Sequence, residues 1–163
     1  MTKQNYIKQY LPLAQKAGER FGMNPIILLA QSAIETGWGE SSLAVEYNNF
    51  FGITAYGRPN PFWDGGRTDL SATGDRPALW FRRYLTAEDS FLDFARLIHS
   101  AYPIAATLTF HPEAYAKEIA YSKYISEVNG DNRAAYQRML VSICRSIDRL
   151  PANEFSIYNF QIP

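Results

Sequence analysis

The sequence predicts an α+β fold that is mainly α, a helical domain carrying one small β-hairpin insertion. Three observations predict it. Helical periodicity dominates the first fifty residues and returns from Thr86 to Arg149. Between them, Thr54 to Asp75 loses that period and is punctuated by Gly57, Pro59, Pro61, Gly65, Gly66 and Gly74. The chain of 163 residues, 47% apolar and 20% charged, has the size and composition of one folded unit, read over 1–163.

The elements follow in order. Thr2 to Phe21 reads as an amphipathic helix with Tyr6, Ile7, Tyr10, Leu13, Ala14, Ala17 and Phe21 on one side. Pro12 interrupts it, so the regular helix is expected to begin near that proline. Asn24-Pro25 is a capping residue followed by proline at the first helical position. The helix it opens, Pro25 to Thr36, is apolar on nearly every face and therefore central; Gly37 and Gly39 end it. Ser41-Ser42 cap a short helix through Tyr47, and Asn48-Asn49 break it. The β insertion, about 54–84, holds two strands near Arg67 to Ser71 and Ala78 to Arg83, joined around Gly74-Asp75. Thr86 caps a helix with Phe91, Phe94, Ala95 and Ile98 inward, and helices near Pro112 to Tyr121 and Arg133 to Arg149 complete the core. An extended tail is expected over about 150–163.

Composition narrows the function. Lys plus Arg equal Asp plus Glu at 16 each, so the chain lacks the basic footprint of a nucleic-acid binder. No apolar run reaches membrane-spanning length, and Met1 to Tyr10 is too polar for a signal peptide, which leaves the export route open. The single cysteine, Cys144, falls in an apolar helical stripe and reads as a buried structural thiol. His99 and His111 have no ligand spacing around them, so neither a metal nor any other cofactor is expected.

The chemistry concentrates at Ala30-Gln31-Ser32-Ala33-Ile34-Glu35-Thr36-Gly37-Trp38-Gly39. Glu35 sits in the last turn of an apolar helix. Burial there removes solvation and the helix C-terminus adds partial negative charge, so its carboxyl should hold a proton near neutral pH. A carboxylic acid in that state is what glycoside hydrolysis needs, because the leaving sugar oxygen must receive a proton. The two glycines let a ligand approach, and Trp38 beside them can stack on a sugar face. A structural acid paired with an arginine is the competing reading for any single Glu at a helix end.

These residues resemble the glucosaminidase family of bacterial peptidoglycan hydrolases, which includes the flagellar rod-associated enzyme and many autolysins. The helix end matches a pattern like Ala-Gln-x-Ala-x-Glu-[Ser/Thr]-Gly-Trp-Gly. A second block, Asn-Asn-[Leu/Phe]-Phe-Gly-Ile, is found at Asn48-Asn49-Phe50-Phe51-Gly52-Ile53. A third, an aromatic-Arg-x-Tyr strand before a Ser-containing helix start, is found at Phe81-Arg82-Arg83-Tyr84 leading to Ser90-Phe91. The resemblance runs from about Pro12 to Ile147. It implies a lysozyme-like fold, a cleft between helical lobe and β insertion, and Glu35 as the catalytic glutamate. A fourth family element, Tyr-Ala-[Thr/Ser]-Asp-Pro-x-Tyr, is only partly met by Tyr124-Ile125-Ser126-Glu127, with Tyr136 as the second tyrosine and Asn129-Gly130-Asp131-Asn132 replacing the Asp-Pro pair. Tyr124 is the expected cleft tyrosine and Tyr121 the fallback.

A second acid is harder to place. The insertion has no glutamate between Trp63 and Arg83, and its acids are Asp64, Asp69 and Asp75, of which Asp69 on the first strand is preferred. The substrate's N-acetyl group is the alternative nucleophile. Phe51, Tyr56 and Trp63 are candidate sugar contacts, and Tyr56, Phe62 and Trp63 equally suit a small hydrophobic cluster. Asn48 and Asn49 either bond acetamido groups or shape a turn. The expected activity is endo-β-N-acetylglucosaminidase action on peptidoglycan strands by a monomer in the periplasm or cell wall. The alternatives are a muramidase or lytic transglycosylase on the same backbone, and a non-catalytic wall-glycan-binding module.

Overall fold

A computed structural model describes residues 1–70, 79–126 and 132–150. Among them the order is α1 (Lys3–Phe21), α2 (Pro25–Thr36), α3 (Ser42–Tyr47), β1 (Arg67–Asp69), β2 (Trp80–Arg82), α4 (Ala87–Ala101), α5 (Pro103–Thr107), α6 (Pro112–Ala120) and α7 (Asn132–Asp148). The architecture is the mainly helical α+β arrangement that the patterning predicts. None of the described helices is long and apolar enough to cross a membrane.

α2 is the axis of the molecule. The Asn24 side chain accepts a hydrogen bond from the Ile26 N–H at 3.0 Å, and Pro25 follows in the first turn. Ile27, Leu28, Leu29 and Ala30 are fully buried, and α1 and α7 pack against this helix. Its far end is fastened to α1. The Tyr6 hydroxyl bonds the Ser32 hydroxyl at 2.8 Å, and the Thr36 hydroxyl accepts from the Gly39 N–H at 2.8 Å. Gly39 has φ +88°, and a Cβ there would stand 3.1 Å from the Tyr6 ring, so the turn after α2 needs glycine at this position.

Three expectations change, and two others lie outside the described residues. α1 does not wait for Pro12; it begins at Lys3, where Thr2 caps it by accepting from the Asn5 N–H at 3.1 Å. Pro12 and Lys8 both lie on the exposed side, where water can serve the Lys8 carbonyl that proline leaves without a helical donor. α5 was not expected; Pro103 opens its single short turn, too brief for any periodic signal. The strands are three residues each, shorter than the segments predicted. The turn around Gly74-Asp75 and the tail beyond Leu150 lie outside the described residues.

The insertion is small but firmly tied. β1 and β2 pair antiparallel with Arg67 opposite Arg82, Thr68 opposite Phe81 and Asp69 opposite Trp80. On its other side β2 bonds the segment 53–55: Arg82 N–H donates to the Ile53 carbonyl, and Ala55 N–H donates to the Trp80 carbonyl, both at 2.9 Å. A buried ionic cluster then fixes this sheet to α4. Asp93 accepts from Arg82 (2.6 Å), Arg96 (2.8 Å), the Tyr84 hydroxyl (2.5 Å) and Asn60 (2.9 Å). Burial works to raise the Asp93 pKa, but the bonds from Tyr84 and Arg96 and the charges of Arg82 and Arg96 outweigh it and hold it low. Arg82, read in the sequence only as part of the Phe81-Arg82-Arg83-Tyr84 block, is a buried fastener, with its guanidinium 4.0 Å from the Trp63 ring centroid.

Candidate active site

Where α2 ends, the chain turns away and leaves Glu35 facing a cleft of about 600 Å³. Ile34 and Glu35 form one side, Phe51 to Thr54 the second, and Leu97, Tyr102, residues 123–126 and Tyr136 the rest. The helical lobe and the segment bonded to the β insertion thus meet across Glu35. Gly52, at φ +63°, passes beside the carboxyl, where a Cβ would stand in ordinary contact 3.8 Å from its Oε2. Glycine here serves the left-handed backbone.

The Glu35 side chain is exposed to the cleft mouth, yet its pKa is raised from 4.5 to about 7 by loss of solvation. The two facts are compatible. A concave wall admits a few waters to the carboxyl while crowding out the bulk solvent that would stabilise its charge. The crowding governs the pKa, and the accessibility lets a ligand reach the proton. The position at the helix C-terminus acts in the same direction. No ion pair to Glu35 forms among the described residues, so the competing reading as an arginine-paired structural acid has no support.

Tyr124 also lines the cleft, with its ring 6.0 Å from Phe94 and 5.9 Å from Tyr102. Its pKa is well above the usual value because of burial first, then the nearby Tyr136 and Glu35. Phe51 contributes to the wall but is mostly core, stacked on Phe94 at 3.9 Å.

The other predicted residues have different places. Trp38 lies edge-on to Tyr6 at 5.6 Å with the Lys3 ammonium 5.2 Å from its ring centroid, so it packs on α1 and is not among the cleft-lining residues. Asn48 ends α3 at φ +56° and donates to the Tyr84 and Leu85 carbonyls. Asn49, 1% exposed, donates to the Ile53 and Arg82 carbonyls and accepts from the Ile53 N–H. Both amides are occupied in shaping the turn that carries Phe51 and Gly52 to the cleft. Trp63 is buried with its indole N–H on the Gly66 carbonyl at 2.8 Å, which makes it part of the insertion's own packing. Tyr56 and Tyr121 are exposed at 74% and 55% and stand outside the lining.

Asp69 is exposed on β1 opposite Trp80, outside the cleft lining, and Asp64 accepts from the Gly66 N–H in a turn. Asp75 lies outside the described residues. Among the described lining residues Glu35 is the single carboxylate. No group of three or more potential metal-binding side chains is assembled among the described residues. Sequence reasoning missed Tyr102 and Thr54 as lining residues. Tyr102 was hidden by the unpredicted α5 that it precedes, and Thr54 by its place at the loop-like start of the insertion.

The family model for glucosaminidase, described as mannosyl-glycoprotein endo-beta-N-acetylglucosaminidase, matches residues 11–149. The chain belongs to the glucosaminidase family. That match runs across both walls of the cleft and includes Glu35 and Tyr124. The chain is 30% identical over 159 residues to the peptidoglycan hydrolase FlgJ of Pseudomonas aeruginosa, covering 90% of this chain and 37% of that one. It spans about a third of the length of the curated FlgJ relatives it matches. In structure it resembles the glycoside hydrolase domain of Salmonella typhimurium FlgJ, with TM-score 0.67 at 23% identity over 91% of this chain and 89% of that one. A type VI secretion system effector-immunity complex from Pseudomonas protegens gives the same TM-score, 0.67, at 20% identity over 90% and 93%. These two structural likenesses show a shared fold.

Proposed function

We propose that the chain cleaves the glycan backbone of peptidoglycan as an endo-β-N-acetylglucosaminidase, with Glu35 as general acid. The observation that carries this reading is one accessible carboxyl, held protonated to about pH 7, at the floor of an open cleft. The glucosaminidase family match and the FlgJ relative, named a peptidoglycan hydrolase, support the substrate. Glu35 gives its proton to the departing glycosidic oxygen. The acetamido carbonyl of the cleaved sugar then closes on its anomeric carbon, and the ionised Glu35 takes a proton from the water that reopens the ring. Substrate assistance is preferred to a second acid because Glu35 is the single carboxylate among the described lining residues. Tyr124 lies beside the reacting sugar in this reading.

The same single acid suits a muramidase or lytic transglycosylase, in which a muramyl hydroxyl attacks internally. Purified protein incubated with peptidoglycan, followed by mass spectrometry, separates these: reducing N-acetylglucosamine ends are expected, and anhydro-muramic or reducing muramic ends would replace the assignment. Recovery of all protein in the wall pellet with no soluble fragments would leave only a binding module. The proposed substrate puts the action in the periplasm or cell wall, performed by a monomer. The fold shared with a type VI effector makes delivery by a secretion machine one route to test.

A further inference from the structure

Beneath the cleft, three helices meet at one amide. The Tyr115 hydroxyl on α6 donates to the Gln31 Oε1 at 2.6 Å, and the Gln31 Nε2 on α2 donates to the Tyr136 hydroxyl on α7 at 3.1 Å. The direction of this chain follows from its inner end. Tyr115 is fully buried, and Gln31 is the partner of its hydroxyl among the described residues. An O–H left without an acceptor in the interior is costly, so Tyr115 must donate, and Gln31 must present its carbonyl to it. The amide is then obliged to turn its N–H toward Tyr136. The two lengths agree, the shorter suiting O–H···O and the longer N–H···O.

The outer end is therefore polarised. Tyr136 receives a hydrogen bond from the interior and keeps its own hydrogen to give. Tyr136 is only 8% exposed, and among the described residues the cleft that it lines together with Glu35 is where that hydrogen can meet an acceptor. Gln31 and Glu35 are four residues apart on α2, which puts both on one face of the helix. Burial and then the proximity of Glu35 push the Tyr136 pKa well above its usual value, so the hydroxyl stays a donor at any working pH.

A donor fixed in this way selects an acceptor that cannot itself donate. Sugar hydroxyls adapt to either role, whereas the acetamido carbonyl is a strong acceptor only. We propose that Tyr136 contacts substrate, its hydroxyl donating to the acetamido carbonyl oxygen of a sugar bound beside Glu35, with Gln31 and Tyr115 as positioning residues that aim it. This rests on the reading of the cleft as a site for N-acetylated sugars.

The test is a binding measurement, so it is separate from turnover. Calorimetry with tri-N-acetylchitotriose and with its de-N-acetylated trimer compares Glu35→Gln protein with the Glu35→Gln/Tyr136→Phe double variant. Loss of one neutral hydrogen bond should weaken the acetylated trimer about five- to tenfold and leave the de-N-acetylated one unchanged. Adding Gln31→Glu to Glu35→Gln keeps the Tyr136 hydroxyl but offers it only acceptors inside; the hydroxyl then turns inward, and a similar loss is expected. Adding Tyr115→Phe should cost about twofold, since it frees the Gln31 amide without removing the donor. Equal binding with and without the Tyr136 hydroxyl, equal losses for both trimers, or no trimer binding to the Glu35→Gln protein would each overturn the assignment. Failure of the wild-type protein to cut peptidoglycan would instead remove the proposed function and leave this binding result standing.

Discussion

Two carboxylates in this molecule are partly or wholly removed from water and end in opposite states. Asp93 is surrounded by Arg82, Arg96, Tyr84 and Asn60, and its pKa falls. Glu35 has walls but no ion pair among the described residues, and its pKa climbs to about 7. Desolvation acts on both and raises both; partners decide the outcome. The partnered acid fastens the β insertion to α4, and the unpartnered one faces the cleft with a proton to give. Burial of an acid therefore says little about its role until its neighbours are known.

Glu35→Gln is the sharpest way to break the comparison. The amide keeps the shape and loses the titrating proton, so turnover of peptidoglycan should fall roughly a thousandfold, the scale of general-acid catalysis. In the wild type, kcat/KM should decline as pH rises through about 7, the limb set by the Glu35 pKa. Stability carries the same signature with its own sign. A folded pKa above the unfolded 4.5 means that the group favours folding below pH 4.5 and loses that advantage between 4.5 and about 7. The variant has no such loss, so its melting temperature should match the wild type near pH 4 and exceed it at pH 8. Activity that survives the substitution, or a melting difference of the opposite trend, breaks the proposed role of Glu35.

Asp93→Ala attacks the other member. It leaves the Arg82 guanidinium buried beside Trp63 without its counter-ion, which costs roughly 3–5 kcal/mol where one partner of a buried pair is removed. The expected readout in urea is a midpoint far below wild type, with the largest loss of protection from exchange in β2 and the segment 53–55. The sign with pH is the reverse of Glu35. A lowered folded pKa contributes stability above the unfolded carboxylate range and loses it as pH falls through the folded value. A midpoint within experimental error of wild type would mean that the cluster is ornamental.

The contrast between these acids was only half legible in the sequence. Glu35 stood out because local signals converge on it: an apolar helix, a sharp glycine end and a family pattern. Asp93 lies inside an ordinary amphipathic helix, and its partners come from positions 60, 82, 84 and 96, which only the tertiary fold assembles. Helix positions were readable from caps and period, as Asn24, Ser41 and Thr86 illustrate. The Pro12 interruption misled because exposure, not sequence, decides whether a missing hydrogen bond matters. Polar residues near Glu35 in the sequence were the hardest to sort. Asn48 and Asn49 look the same in sequence whether they hold a turn or a sugar, and their geometry commits them to the turn.

Asp69 gives the smallest effect and the finest discrimination. It was the preferred second acid by elimination, because the insertion offers only aspartates. The strand period now bears on it: Thr68 shares the face of Phe81 and of Thr54, its bridge partner across β2, whereas Asp69 stands on the opposite face with Trp80. Thr54 is the residue of this sheet that lines the cleft. Asp69→Asn should therefore change kcat/KM by less than about threefold, the range of an exposed charge acting at long distance through solvent. A loss approaching that of Glu35→Gln would return Asp69 to the mechanism and remove the need for the acetamido group as nucleophile. A near-null result, together with a large rate loss on de-N-acetylated glycan, would leave the substrate's own carbonyl as the group that attacks.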